Sequence, residues 1–84
     1  MGQVGRVIET RVAVNARGGK ATIFHTVDSV MGHLWYWKVD RDDGCHTSYD
    51  VEEFSYEDAV KNSLDYMQWH HPDDARPEFK RVLQ

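Results

Sequence analysis

Cysteine, histidine and paired carboxylates are the residues of this chain that could do chemistry. Cys45 and His46 are neighbours, His70 and His71 are neighbours, and His25 and His33 lie elsewhere. A structural zinc site takes four ligands, in pairs separated by two to four residues. Adjacent residues serve it poorly. On a strand they point to opposite faces, and on a helix they stand about 100° apart. The same divergence argues against Cys45 and His46 as a nucleophile and its base. Asp42-Asp43, Glu52-Glu53, Glu57-Asp58 and Asp73-Asp74 are paired carboxylates. Each pair falls in a turn, cap or linker, with no apolar surroundings to raise a pKa. Asp40-Arg41-Asp42-Asp43-Gly44 departs from the EF-hand order, and Gly18-Gly19-Lys20 lacks the spacing of a phosphate loop. No set of residues defines an enzyme, and neither cofactor nor metal is expected.

The elements that must position these residues follow from periodicity. Residues 6–14 alternate with a slip near Glu9, and residues 20–28 alternate with Ala21, Ile23, His25 and Val27 on one face. Asn15-Ala16-Arg17-Gly18-Gly19 is the turn between them. Asp28-Ser29-Val30-Met31-Gly32 reads as a connection. Residues 33–39 form a third strand, with Trp35, Trp37 and Val39 on one face and Leu34, Tyr36 and Lys38 on the other. Asp42-Asp43-Gly44 then signals a hairpin and a fourth strand over 45–50, with Cys45 a small buried residue.

Beyond Ser55 the period becomes helical. Ser55 suits an N-cap, Glu57 and Asp58 suit the first turn, and Val60, Leu64, Met67 and His71 recur on one side. The spacing predicts a helix from Tyr56 to about His70, ending before Pro72, with Glu57 and Lys61 paired. Pro77 opens a short C-terminal helical turn whose apolar side is Phe79, Val82 and Leu83. The expected fold is α+β: a four-stranded antiparallel sheet (β-β-β-β-α) covered on one face by one amphipathic helix. With 84 residues there is room for one domain, residues 1–84.

Charge is divided along the chain. Residues 1–39 hold five basic side chains against two acidic, a net of +3, and residues 40–84 hold five basic against twelve acidic, a net of -7. An acidic surface built from Asp40, Asp42, Asp43, Glu52, Glu53, Glu57 and Asp58 would meet a protein partner with a basic surface. Tyr66 and Trp69, three apart, would anchor it. Direct nucleic-acid binding is not expected, because phosphate contacts need clustered Lys and Arg. No apolar run approaches the ~20 residues of a membrane helix, so no membrane partner is expected. Met1-Gly2-Gln3-Val4-Gly5 has no signal-segment pattern, and one cysteine permits no internal disulfide. The expected location is cytoplasmic, in a bacterial host cell. Sheet edges could pair with a second copy, which allows a homodimer.

Two resemblances bear on function. Residues 34–67, through Asp43-Gly44-Cys45, then Glu57-Asp58-Ala59 and Asn62, resemble HicB-type antitoxins. That resemblance implies a partial RNase H-like sheet and a ribonuclease toxin as partner. The chain lacks the family's turn prolines and has extra residues between turn and helix. By general type, a small acidic aromatic-rich domain with no catalytic set is similar to phage-encoded inhibitors of bacterial defence, the anti-CRISPR proteins. That likeness implies a non-enzymatic inhibitor that occupies a basic surface of a host protein or nucleic-acid-binding complex. The alternatives are the HicB-type antitoxin and a small zinc-binding module using Cys45 with His46, His70 or His71.

Overall fold

Two long β-branched stretches separated by a glycine turn set the centre of the sheet. In the computed structural model, which describes residues 6–47 and 51–82, strand β1 spans Arg6–Val14 and β2 spans Lys20–Asp28. They pair antiparallel from Val14↔Lys20 outwards. The Asn15 side chain closes their turn by accepting from the Gly19 and Arg17 backbone N–H groups at 2.7 and 3.1 Å. Gly18 supplies the left-handed residue, with φ 91°. Strand β3, Gly32–Asp40, pairs with β2 along its whole length, from Lys20↔Asp40 to Asp28↔Gly32. A slip in β1 is a register shift between Val7 and Glu9, which leaves Ile8 exposed.

Among the described residues the sheet has five strands, where four were expected. Among the described residues, 45–47 do not form the return strand that the Asp42-Asp43-Gly44 turn predicts over 45–50. That turn closes, with the Gly44 N–H donating to the Arg41 carbonyl at 3.1 Å, and among the described residues the pairing beyond it is an isolated bridge, Asp40↔His46. Residues 48–50, Tyr49 among them, lie outside the described part. The paired segment is β4, Val51–Glu53, with Val51 opposite Trp37 and Glu53 opposite Trp35. Cys45, outside any extended strand, is exposed and not a core residue.

The second difference is at the C-terminal end. The helical turn expected after Pro77 is a strand, β5, Lys80–Arg81, paired antiparallel with Arg11 and Val12 of β1. The Val82 N–H donates to the Thr10 carbonyl at 2.8 Å. An unpaired β1 edge offers ready backbone partners, and extended pairing satisfies them where a helical turn would not. Phe79 still enters the core, while Val82 stays largely exposed; Leu83 lies outside the described residues. The sheet order is β4-β3-β2-β1-β5, antiparallel throughout.

One helix, α1, spans Tyr56–Met67. Ser55 caps it, its hydroxyl accepting from the Asp58 N–H at 3.1 Å, and Glu57 and Asp58 sit in the first turn. Lys61 pairs with Asp65, at 2.9 Å, instead of Glu57. Ala59, Leu64 and Met67 press onto Ala13, Ala21, Ile23, Trp37 and Val39, the shared face of the three long strands. Small Ala13 and Ala21 let the helix end approach closely: a Cβ on neighbouring Gly19 would stand 3.0 Å from Met67. Beyond the helix, residues 68–79 return beside it. They are held by Arg76 on Asp65, by Arg17 on Asp74 at 2.6 Å, and by the buried Gln68 amide donating to the Asp74 and Ala75 carbonyls.

Candidate functional site

The nine residues predicted to meet a partner do not form one surface. Glu53 stands opposite Trp35 and Asp40 lies five residues further along β3, about 17 Å away at strand rise. The helix starts at the Glu53 end and runs about 18 Å to the other. Asp40, Asp42, Asp43, Tyr66 and Trp69 therefore gather at one end, and Glu52, Glu53, Glu57 and Asp58 at the other.

At the Asp43 end, Asp43 itself is internally matched. Asp43 accepts from the Cys45 backbone N–H at 3.0 Å, pairs with Arg41 and lies 3.5 Å from His70. The backbone bond first, then Arg41, holds its carboxyl below the usual range. The Arg41 guanidinium also lies over the Tyr66 ring, 4.6 Å from its centre, and Tyr66 packs against Trp37 at the margin of the core. Trp69 is 67% exposed and, with Asp65, Gln68, Pro72 and Arg76, lines a shallow hollow beside the helix end.

At the opposite end Glu53 is a structural joint. It accepts from the Trp37 indole N–H at 2.9 Å and from the Asn62 amide at 2.8 Å. Glu52 accepts from the Tyr36 hydroxyl at 2.9 Å on the other face. Glu57 and Asp58 are exposed in the first helical turn. Beside them Phe54 stands 67% exposed, outside the core although it immediately precedes the N-cap.

This end also carries the β2–β3 turn, Asp28-Ser29-Val30-Met31-Gly32. Val30 and Met31 occupy the β2–β3 turn and are 86% and 55% exposed. The Asp28 carboxylate accepts from both of their backbone N–H groups, at 2.7 and 2.9 Å. Those two bonds hold its pKa below the ordinary value, and Gly32 completes the turn with φ 80°. The turn is thus fixed by polar chemistry while two large apolar side chains project from it. Val7, Ile8 and Val27 are also exposed at this end. The sequence signal was the pair Val30-Met31 inside a turn, where polar residues ordinarily serve.

The same end holds an aromatic cluster on the helix-bearing face. His25 stacks on Trp35, with centres 4.5 Å apart and planes 12° apart. His25 Nε2 lies 2.9 Å from His33 Nδ1. Partial burial, then the neighbouring His33, lowers the His25 pKa. Glu9, in register with His25, is bound by Arg11 at 2.9 Å, which with Arg81 nearby lowers its pKa.

Among the described residues, no group of three or more His, Cys, Asp or Glu side chains is placed to hold a metal ion. No described helix is long and apolar enough to cross a membrane. The fold and its exposed residues define a small α+β protein with one helix on a five-stranded antiparallel sheet and an apolar, partly acidic end. Compared with known proteins, the chain matches no family model, no curated protein and no solved structure.

Proposed function

We propose that the protein is a non-enzymatic binding module that inhibits or regulates a protein partner, docking through the Val30-Met31-Phe54 end of the sheet. The single observation that carries this reading is the exposure of Val30 and Met31 on a turn whose backbone Asp28 has already fixed. A preorganised turn presents apolar anchors without the entropy cost of ordering them on binding. Gathered apolar exposure of this kind marks interaction sites. Glu52, Glu57 and Asp58 flank Phe54 and give the anchors an acidic border, so the partner carries an apolar depression bordered by Lys or Arg. Asp40, Asp42, Asp43, Tyr66 and Trp69 fall outside this contact.

The test is capture of partners from bacterial lysate with and without nuclease, using the full chain and two variants. Val30→Ser with Met31→Ser should weaken capture of one stoichiometric partner at least about tenfold. Asp42→Asn with Asp43→Asn should leave it unchanged. Binding that ignores the first variant and fails with the second would move the site to the other end, and partners that vanish with nuclease would overturn a protein-binding role. A ribonuclease toxin as partner would make the protein an antitoxin of the HicB kind.

A further inference from the structure

We propose that His25 and His33 form a two-histidine site for a late first-row divalent cation, Cu²⁺ in preference to Ni²⁺ or Zn²⁺. The two residues lie on adjacent antiparallel strands and on the same face. His25 is in register with Trp35, and His33 with Val27, so they form a diagonal pair. Their facing nitrogens are 2.9 Å apart and their ring centres 5.1 Å apart. On a tetragonal ion such as Cu²⁺, two neighbouring imidazoles at about 2.0–2.1 Å each hold their nitrogens about 2.8–3.0 Å apart. The facing nitrogens already stand at that separation, so the ion requires only that both lone pairs turn toward a common point.

The surroundings suit a ligand pair. Stacking on Trp35 fixes the plane of His25. Burial and its neighbour favour the neutral imidazole, the form that binds metal. In the metal-free pair one nitrogen donates its hydrogen to the other. On binding, that proton moves to the far nitrogen of the same ring, leaving both facing lone pairs on the ion. Glu9 faces the pair but is already engaged by Arg11, so it acts at longer range and partly offsets the guanidinium charge. The remaining coordination positions are left to water or to a side chain of another molecule. Imidazole ligands and the general affinity order favour copper. A bound ion clips β2 to β3 just behind the Val30-Met31 turn. The site stands whether or not that turn docks a partner.

The experiment titrates the full chain with CuCl₂, and separately with ZnCl₂, at pH 7.5. It reads tryptophan fluorescence, calorimetry and histidine ring NMR. One equivalent of Cu²⁺ should quench fluorescence, because Trp35 lies against the ligands, and Zn²⁺ should shift the His25 and His33 ring signals first. His33→Ala should weaken Cu²⁺ binding at least about tenfold, while His70→Ala with His71→Ala leaves it unchanged. Wild-type affinity in His33→Ala, or first ring shifts at His46, His70 or His71, would overturn the proposal. The NMR arm uses the unaltered protein and does not depend on a variant folding.

Discussion

Glu53 shows how far a residue's role can lie from its type. In sequence it is one acid in an acidic run. In the structure its carboxylate joins three elements, accepting from Trp37 on β3 and Asn62 on α1 while sitting on β4. Trp37 is buried, so removing the acceptor leaves its indole N–H without its protein partner. Glu53→Ala should therefore cost about 1–3 kcal/mol, the range for a buried donor left without its partner. Glu53→Gln keeps an oxygen acceptor and should cost less. Urea unfolding of both variants measures this, and a Glu53→Ala loss within about 0.5 kcal/mol, the range of ordinary surface changes, would contradict the joint. Glu52, bonded to Tyr36 on an exposed site, is the natural comparison and should behave as a surface residue.

At the scale of elements, what the sequence revealed depended on local signals. β1, β2, β3 and the start of α1 were legible because alternation, Gly18-Gly19 and Ser55 each act within a few residues. The cap makes this testable. Ser55→Ala removes the acceptor for the Asp58 N–H and should cost about 1 kcal/mol. Helical signal near 222 nm during thermal unfolding would report the loss, and an unchanged midpoint would deny the cap a role. The elements that depart from the sequence pattern depend on distant partners. A ladder continued unbroken from Asp40↔His46 would set residue 49 opposite Trp37, but Val51 stands there, two residues later. That shift lets apolar Val51 pack on the core margin, a gain no turn motif announces. β5 likewise forms because β1 has an edge to fill, and Lys80-Arg81 contains nothing that says so. The candidate site was the least legible part. Its acidic residues were identified by type, but their division between two ends of the sheet required the register.

For the whole molecule, carboxylates held by ion pairs, together with Asp28 and Asp43, set its response to acid. Asp65 is held by Arg76 and Lys61, Asp74 by Arg17, and Glu9 by Arg11, and each carboxyl lies below its ordinary value of 3.8 or, for Glu9, 4.5. The folded state binds fewer protons than the unfolded one there. Their stabilisation is complete above those ordinary values and is lost as pH falls through the lower folded values. His25 acts in a separate window. Its folded pKa lies below the ordinary 6.5, so protonation favours the unfolded chain and stability declines as pH drops below 6.5. Urea midpoints measured from pH 8 to pH 3 should thus fall in two stages, one beginning near 6.5 and one below about 4.5. His25→Asn, which cannot titrate, should flatten the first stage and leave the second. The contacts are partly exposed, so salt should soften the acid stage more than the histidine stage, whose first cause is burial and not charge. A first stage that persists in His25→Asn would assign it to another group and separate the His25–Trp35 stack from the pH response of the fold.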